Sequence, residues 1–238
     1  MSLVKLKKEL KQNSDVEKAK TALWFFKTGK GEYGEGQKFL GIDTPTKRKI
    51  AKKYTDLNFD DLQELLNSNI HDYHFIALVI LIEKYKNCKV SDVLQKKIFD
   101  FYIKNSKNIN NWDLVDISAP NIVGRYLLDK TDRKILYKFA QSKNLWEKRI
   151  SIISTFALIR ENQFTDTLKI SEILLDDKHD LIHKAVGWML REVGNRDRKI
   201  EEIFLKKYCK KMPRTMLRYA TEKFSEKLRK SYLLGNIY

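Results

Sequence analysis

The stretch from Trp112 to Trp188 reads WDLVDISAPNIVGRYLLDKTDRKILYKFAQSKNLWEKRISIISTFALIRENQFTDTLKISEILLDDKHDLIHKAVGW. Nearly every segment of it carries apolar residues at helical spacing, not at the period of two that a strand needs. The breaks are short and polar, as at Asp129 to Thr131 and Asp176-Asp177. A longer period is also present: Trp112, Arg149 and Trp188 stand 37 and 39 residues apart, close to the ~40 residues of a HEAT-type helix pair. Equivalent helices of successive repeats line one face of an α-solenoid, so these three side chains are expected to share one concave surface. A lone tryptophan on a helix is more often core than site; here the repeat register and the polar company of each residue favour the site.

The same spacing extends outward in both directions. Met1 to Asn13 is charged and helical in pattern, and Asp15 to Lys27, DVEKAKTALWFFK, puts Ala22, Phe25 and Phe26 on one side. Then TGKGEYGEG holds four of the nine glycines and reads as a flexible loop. Asp43-Thr44-Pro45 restarts a helix, with Thr44 as N-cap and Pro45 in the first turn. Further helices are predicted near 44–54, 58–67, 71–86, 91–104, 111–128, 131–142, 145–160, 165–176, 179–194, 198–210 and 213–229. Short connections make successive helices antiparallel neighbours. The expected fold is therefore all-α, a single HEAT-like-repeat domain over 1–238 with a concave basic groove.

Composition agrees. Nine Gly and three Pro are too few for an all-β chain with many tight turns, and 42% hydrophobic residues supply a core. The 47 basic and 31 acidic residues leave a net charge of +16, which calls for a polyanionic partner, although a Lys-rich composition accounts for part of it. Cys88 and Cys209 are far apart and have no Cys or His at metal-ligand spacing; His179 and His183 lack a third ligand, and with His71 and His74 read as structural or surface residues. Neither a disulfide framework nor a metal site is expected. The N-terminus has no apolar signal core and no apolar run is long enough to span a bilayer, so a soluble protein is expected, cytoplasmic and, in a bacterium, nucleoid-associated.

The chemistry points to Asn110-Asn111-Trp112-Asp113-Leu114-Val115-Asp116. Asn111 suits an N-cap and Asp113 the first turn of a helix. Asp116 follows Trp112 by four residues, so both point from one helical face. An aromatic plane beside a carboxylate suits a sugar that becomes cationic. Pro120 breaks the backbone just beyond: either a through-running helix leaves the Asp116 carbonyl without its usual partner, or a new helix begins there. Arg149, Arg191, Arg214 and Arg218, helped by Lys148 and Lys184, are the candidate phosphate contacts.

Phe39-Leu40-Gly41-Ile42, Thr44-Pro45, Trp112 to Asp116, Asn144-Leu145-Trp146-Glu147-Lys148-Arg149, Lys184 to Glu192 and Pro213 to Ala220 together resemble the AlkD-type DNA alkylation repair family. The resemblance implies HEAT-like repeats around duplex DNA, and hydrolysis of the N-glycosidic bond of positively charged N3- and N7-alkylpurines by a monofunctional, cofactor-free glycosylase, a monomer. It implies contact with the lesion through its backbone, not in a base pocket. It assigns the aromatic–carboxylate pair to Trp112 and Asp116, the second cleft tryptophan to Trp188 and the DNA-gripping arginine to Arg149. The cleft-facing aromatic of the second helix falls on Phe25, with Trp24 or Phe26 as alternatives of register. Two departures stand out: Ala157 replaces a lysine of some members, with Arg160 nearby, and Phe25 has no hydroxyl. In this reading Asp116 stabilises an oxocarbenium-like sugar and orients water, and Trp112 and Trp188, also catalytic, pack on the sugar and backbone and add cation–π stabilisation. The alternatives are a catalytically silent HEAT-repeat DNA-binding protein and a protein-interaction scaffold.

Overall fold

The computed structural model describes residues 1–87 and 91–236. Their architecture is all-helical, with an isolated parallel β-bridge between Lys38 and Ile70. The helices pack as two compact units, Met1–Ser118 and Ala119–Tyr238.

Unit 1 contains α1 (Leu3–Gln12), α2 (Val16–Phe25), α3 (Thr44–Lys53), α4 (Phe59–Leu66), α5 (His71–Asn87), α6 (Asp92–Lys104) and α7 (Trp112–Ser118). One row runs α1, α3, α5, α7, each packed on the next, while α4 and α6 lie against α5. The centre is α5, in which Phe75 through Ile82 are all buried. A helix apolar on every side needs neighbours on every side. By contrast α1 buries only Leu3, Leu6 and Leu10, an i, i+3, i+7 stripe. The cap before α3 is Asp43, whose carboxylate accepts from Thr46 N at 2.9 Å; Thr44, expected as the cap, begins the helix instead. Gly41 sits at φ 76° with its α-carbon pressed on the start of α2, where a Cβ would lie 2.1 Å from Asp15 O. Glycine alone meets both conditions. The glycine loop is tied down: Glu32 and Glu35 carboxylates accept from Gly29 N and Gly31 N, each at 2.8 Å.

Unit 2 opens on a π turn, Pro120–Gly124, followed by α8 (Arg125–Leu127), α9 (Lys134–Ala140), α10 (Leu145–Arg160), α11 (Thr165–Ile173), α12 (Asp180–Arg196), α13 (Arg198–Tyr208), α14 (Arg214–Ala220) and α15 (Glu226–Leu234). The π turn, α10, α12 and α14 form one row, and α9, α11 and α13 a second layer against it. Close approach within the row is made by small residues. A Cβ on Gly124 would meet Ser154 O at 2.2 Å, and one on Gly187 would meet Met216 O at 2.4 Å. This two-layer arrangement of helix pairs is the helical-repeat fold that the sequence period implies.

Two predicted helices are interrupted. The expected 111–128 helix widens after Ser118 into the π turn, with Gly124 N bonded to Ala119 O at 2.9 Å. Pro120 has no N–H to return to the Asp116 carbonyl, and the wide turn absorbs the defect without ending the helical path. The expected 213–229 helix breaks at Phe224, which is extended (φ −76°, ψ 153°). Its ring is buried against Tyr232 at 5.3 Å and lies under the Arg198 guanidinium, so docking of this side chain overrides helix continuation. Cys209 is buried and free; Cys88 lies outside the described residues. No helix is long and apolar enough to cross a membrane, and no cluster of metal-ligating side chains occurs, among the described residues.

Candidate active site

In unit 1, Trp112 is the first residue of α7 and Asp116 stands one turn later. Both side chains are half-buried. The indole is backed by Phe25 at 5.8 Å and Phe26 at 5.6 Å between ring centroids. Phe26 stacks on Phe39 at 5.1 Å, and both rings lie 4.8 Å from the His71 imidazole. The end of α2 therefore meets Trp112 directly, and the loop at Phe39 and the start of α5 pack behind it on Phe26. The Lys38–Ile70 bridge sets this convergence, because Lys38 O accepts from His71 N at 2.8 Å.

The polar groups around α7 fix its position. Asn111 is fully buried; its Oδ1 accepts from Trp112 N at 2.8 Å and its Nδ2 donates to Gln37 Oε1 at 2.8 Å. His71 Nε2 lies 2.9 Å from Asp113 Oδ1, which also accepts from Leu114 N at 2.8 Å. Asp113 is an acceptor, so the imidazole carries its proton on Nε2. At the other end, Ser118 Oγ donates to Leu114 O at 2.5 Å, leaving it to accept from the Tyr102 hydroxyl at 2.9 Å. Burial raises the Tyr102 phenol above its ordinary pKa, and the negative charge of Asp116 pushes the same way. Beside the aromatic cluster a cleft of about 270 Å³ is lined by Phe25, Phe26, Phe39, Asp72 and Asp113 among others. Its floor holds a buried ion pair, Lys47 Nζ to Asp72 Oδ1 at 3.6 Å.

Unit 2 carries the other candidates. Trp188 on α12 is half-buried, donates from its indole N–H to Glu192 Oε1 at 2.9 Å and packs on Phe156 at 5.9 Å. Arg149 on α10 is 5% exposed and donates from Nη1 to Leu181 O at 2.6 Å, against the start of α12. Lys148 pairs with Asp177, Lys184 with Asp180 at 2.7 Å, and Arg191 with Glu222 and, at 3.4 Å, with Glu192. Arg214 donates to Leu233 O, and Arg218 is exposed on α14. The cations singled out in the sequence are thus mostly engaged. The pairs differ in strength: Lys184–Asp180 is open to solvent, where such pairs are worth ~0–1 kcal/mol, whereas Lys148–Asp177 is largely buried.

A model of the DNA alkylation repair enzyme family matches residues 6–224. The chain belongs to this family. A solved structure described as a predicted DNA alkylation repair enzyme from Enterococcus faecalis superposes with a TM-score of 0.69 at 16% identity, over 90% of this chain and 98% of that one. The superposition carries the shared fold. No curated protein matches the chain. Family membership assigns an enzyme of DNA alkylation repair, with DNA as its substrate.

Of the second-helix aromatics left open by the sequence, Phe25 and Phe26 both meet Trp112, while Trp24 is 83% exposed. By sequence Asp113 suits the helix dipole and His71 a structural or surface place; the structure pairs the two and sets Phe39 against Phe26. None of the three shares a helical face with Trp112, so no periodicity could group them. The remaining histidines are structural: His74 Nε2 meets Ser68 O at 2.6 Å, His179 caps α12 and His183 meets Asp177 O at 2.6 Å.

Proposed function

We propose that this chain is a DNA glycosylase that hydrolyses the N-glycosidic bond of positively charged N3- and N7-alkylpurines in duplex DNA. The observation that carries this reading is the half-buried Asp116 carboxylate one helical turn from Trp112, whose ring is backed by two phenylalanines.

A cationic alkylpurine leaves as a neutral base when the bond electrons pass to its ring nitrogen. Acid assistance is then of little use, and the demand falls on the sugar, where positive charge builds at C1′. Asp116 opposes that charge, and Trp112 offers its electron-rich face. Water oriented by Asp116 adds to C1′, and the proton it releases passes to the solvent. A desolvated cation–π contact worth about 2 kcal/mol accounts for a factor of roughly 30 if it exists only in the transition state.

Unit 2 takes the DNA-holding role in this reading, with Trp188 packed on the sugar–phosphate backbone. Arg218 is exposed towards solvent on α14, and Lys184 exchanges its solvent-exposed partner Asp180. Arg191 exchanges two carboxylates and Arg214 a carbonyl. Lys148 and Arg149 present little surface, so they act on the backbone mainly by shaping the ends of α10 and α12. The two units together act as one monomeric helical-repeat domain.

The test is release of 7-methylguanine from methylated duplex DNA by the wild type and by Asp116→Asn. Free 7-methylguanine is expected from the wild type, with a loss of about 100-fold or more in the variant, the scale of losing one preorganised electrostatic group, and retained DNA binding. Tight binding without release by the wild type would make the chain a silent DNA-binding protein. Absence of both would leave the scaffold reading.

A further inference from the structure

Helix α2 buries none of its residues completely. One side of it, at Phe25, reaches Trp112. The other side stands in solvent, with Trp24 83% and Leu23 40% exposed. Trp24 is the most exposed of the four tryptophans, since Trp112 and Trp188 are half-buried and Trp146 is buried. Its hollow is completed by Lys20, Lys27 and Thr28.

The end of this helix is built at a cost. Lys27 adopts φ 49°, the left-handed conformation that glycine usually occupies after a helix; a lysine there costs about 1–2 kcal/mol. Thr28 N and Thr28 Oγ1 both donate to Leu23 O, at 3.2 and 3.1 Å, and Gly34 N donates to Lys27 O at 3.0 Å. These bonds hold the lysine at the rim of the indole. The neighbouring acids are engaged: Glu32, which also lines the hollow, and Glu35 bind loop N–H groups, and Glu17 pairs with Lys20 across an exposed bond of 2.8 Å. The lip thus presents a flat aromatic surface between two exposed cations, on a chain of net charge +16.

We propose that the Trp24 lip stacks on an unstacked base of the DNA, with Lys20 and Lys27 on the flanking phosphates. An indole accepts the face of any base, and lysines follow the backbone without reading sequence. A lipid surface fits less well, because Glu17, Lys18, Lys20 and Thr21 interrupt the exposed side of α2. The inference rests on DNA as the substrate and is independent of the bond that is cleaved.

The experiment uses the full chain and an undamaged, fluorescein-labelled duplex with one bulged nucleotide. Anisotropy gives affinity, and acrylamide quenching gives the exposure of Trp24, isolated by comparison with Trp24→Phe. At saturation Trp24 should lose fluorescence and become shielded from acrylamide. Trp24→Ala should weaken binding about 10-fold, within the range of ~1–3 kcal/mol for one stacked base, with an unchanged salt slope. Trp24→Phe should lose less, and Lys27→Gln should lower the salt slope by about one. Wild-type affinity in Trp24→Ala, or an indole still fully quenchable in the saturated complex, overturns the proposal. Failure to release alkylated bases while Trp24 becomes shielded counts only against the glycosylase reading; absence of DNA binding overturns both.

Discussion

Glu201 lies on α13 with 1% of its surface exposed. One carboxylate oxygen has no hydrogen-bond partner among the described residues, and the other packs so closely on Gly194 that a Cβ there would lie 1.7 Å away. Burial lifts its pKa to about 8 and Glu202 acts in the same sense, against Arg198 and Arg191. Arg198 approaches Glu201 at 3.7 Å, but it is shared: it donates to Glu202 at 3.1 Å and lies over the Phe224 ring. Its charge offsets only part of the desolvation cost, and the proton stays on at neutral pH. In the unfolded chain the ordinary value is 4.5. Between these values the folded state holds a proton that the unfolded state releases. The group's contribution is therefore most favourable below about pH 4.5 and is lost as pH rises towards 8, at ~1.36 kcal/mol per unit. From pH 5.5 to 8.5 the loss is about 3 kcal/mol. Glu201→Gln keeps the shape and removes the titration. Urea unfolding of both proteins at the two pH values should show the variant gaining about 3 kcal/mol on the wild type at the higher pH. A difference between the proteins that stays constant with pH would refute the reasoning, and would mean that Arg198 holds the carboxylate ionised throughout.

Two further substitutions test the packing. Gly187→Ala places a Cβ 2.4 Å from Met216 O and 2.5 Å from the Tyr219 Cβ, so α12 and α14 must separate; overpacking of this kind costs about 1–3 kcal/mol, and a thermal midpoint lower by roughly 2–10 °C is expected by calorimetry, with an unchanged midpoint ruling the contact out. Asp72→Ala leaves the Lys47 ammonium buried without its carboxylate and removes the acceptor of Leu40 N, bonded at 2.7 Å; a loss of about 3–5 kcal/mol is expected in urea unfolding, and an effect below 1 kcal/mol would show that water reaches the site.

The helices were legible where local rules and packing agree. Asn144 accepts from Trp146 N and Glu147 N, and α10 runs over 145–160 as its pattern predicts. The pattern failed where a distant partner decides. Phe224 leaves the helix to reach Tyr232 and Arg198, and nothing in its neighbours announces this. The same division holds for the site. Trp112 and Asp116 are legible because a spacing of four places both on one helical face. The aromatic wall behind Trp112 comes from the ends of two helices and a loop, which are brought together by bonds distant in sequence: Lys38 to His71, Leu40 N to Asp72 and Asp15 N to Leu40 O. Arg149 shows the other limit: its period was visible, its burial against Leu181 was not.

In the proposed function the placement of Asp116 relative to Trp112 carries the chemistry, yet α7 has seven residues, about half the length at which an isolated helix is even marginal in water. Its geometry must be supplied from outside. Asn111 and Gln37 fix the first peptide group, the His71–Asp113 contact fixes the first turn, and the buried Tyr102–Ser118–Leu114 bonds fix the last. Beyond Ser118 the π turn begins, so regular helix is not available there to stiffen it. Three of these bonds run to side chains held on other elements: His71 on α5, Tyr102 on α6 and Gln37 in its loop. The rigidity of the candidate site is therefore a property of the packed unit 1, which is why a short motif in the sequence is meaningful only in the company of residues 16 to 74 positions away from it.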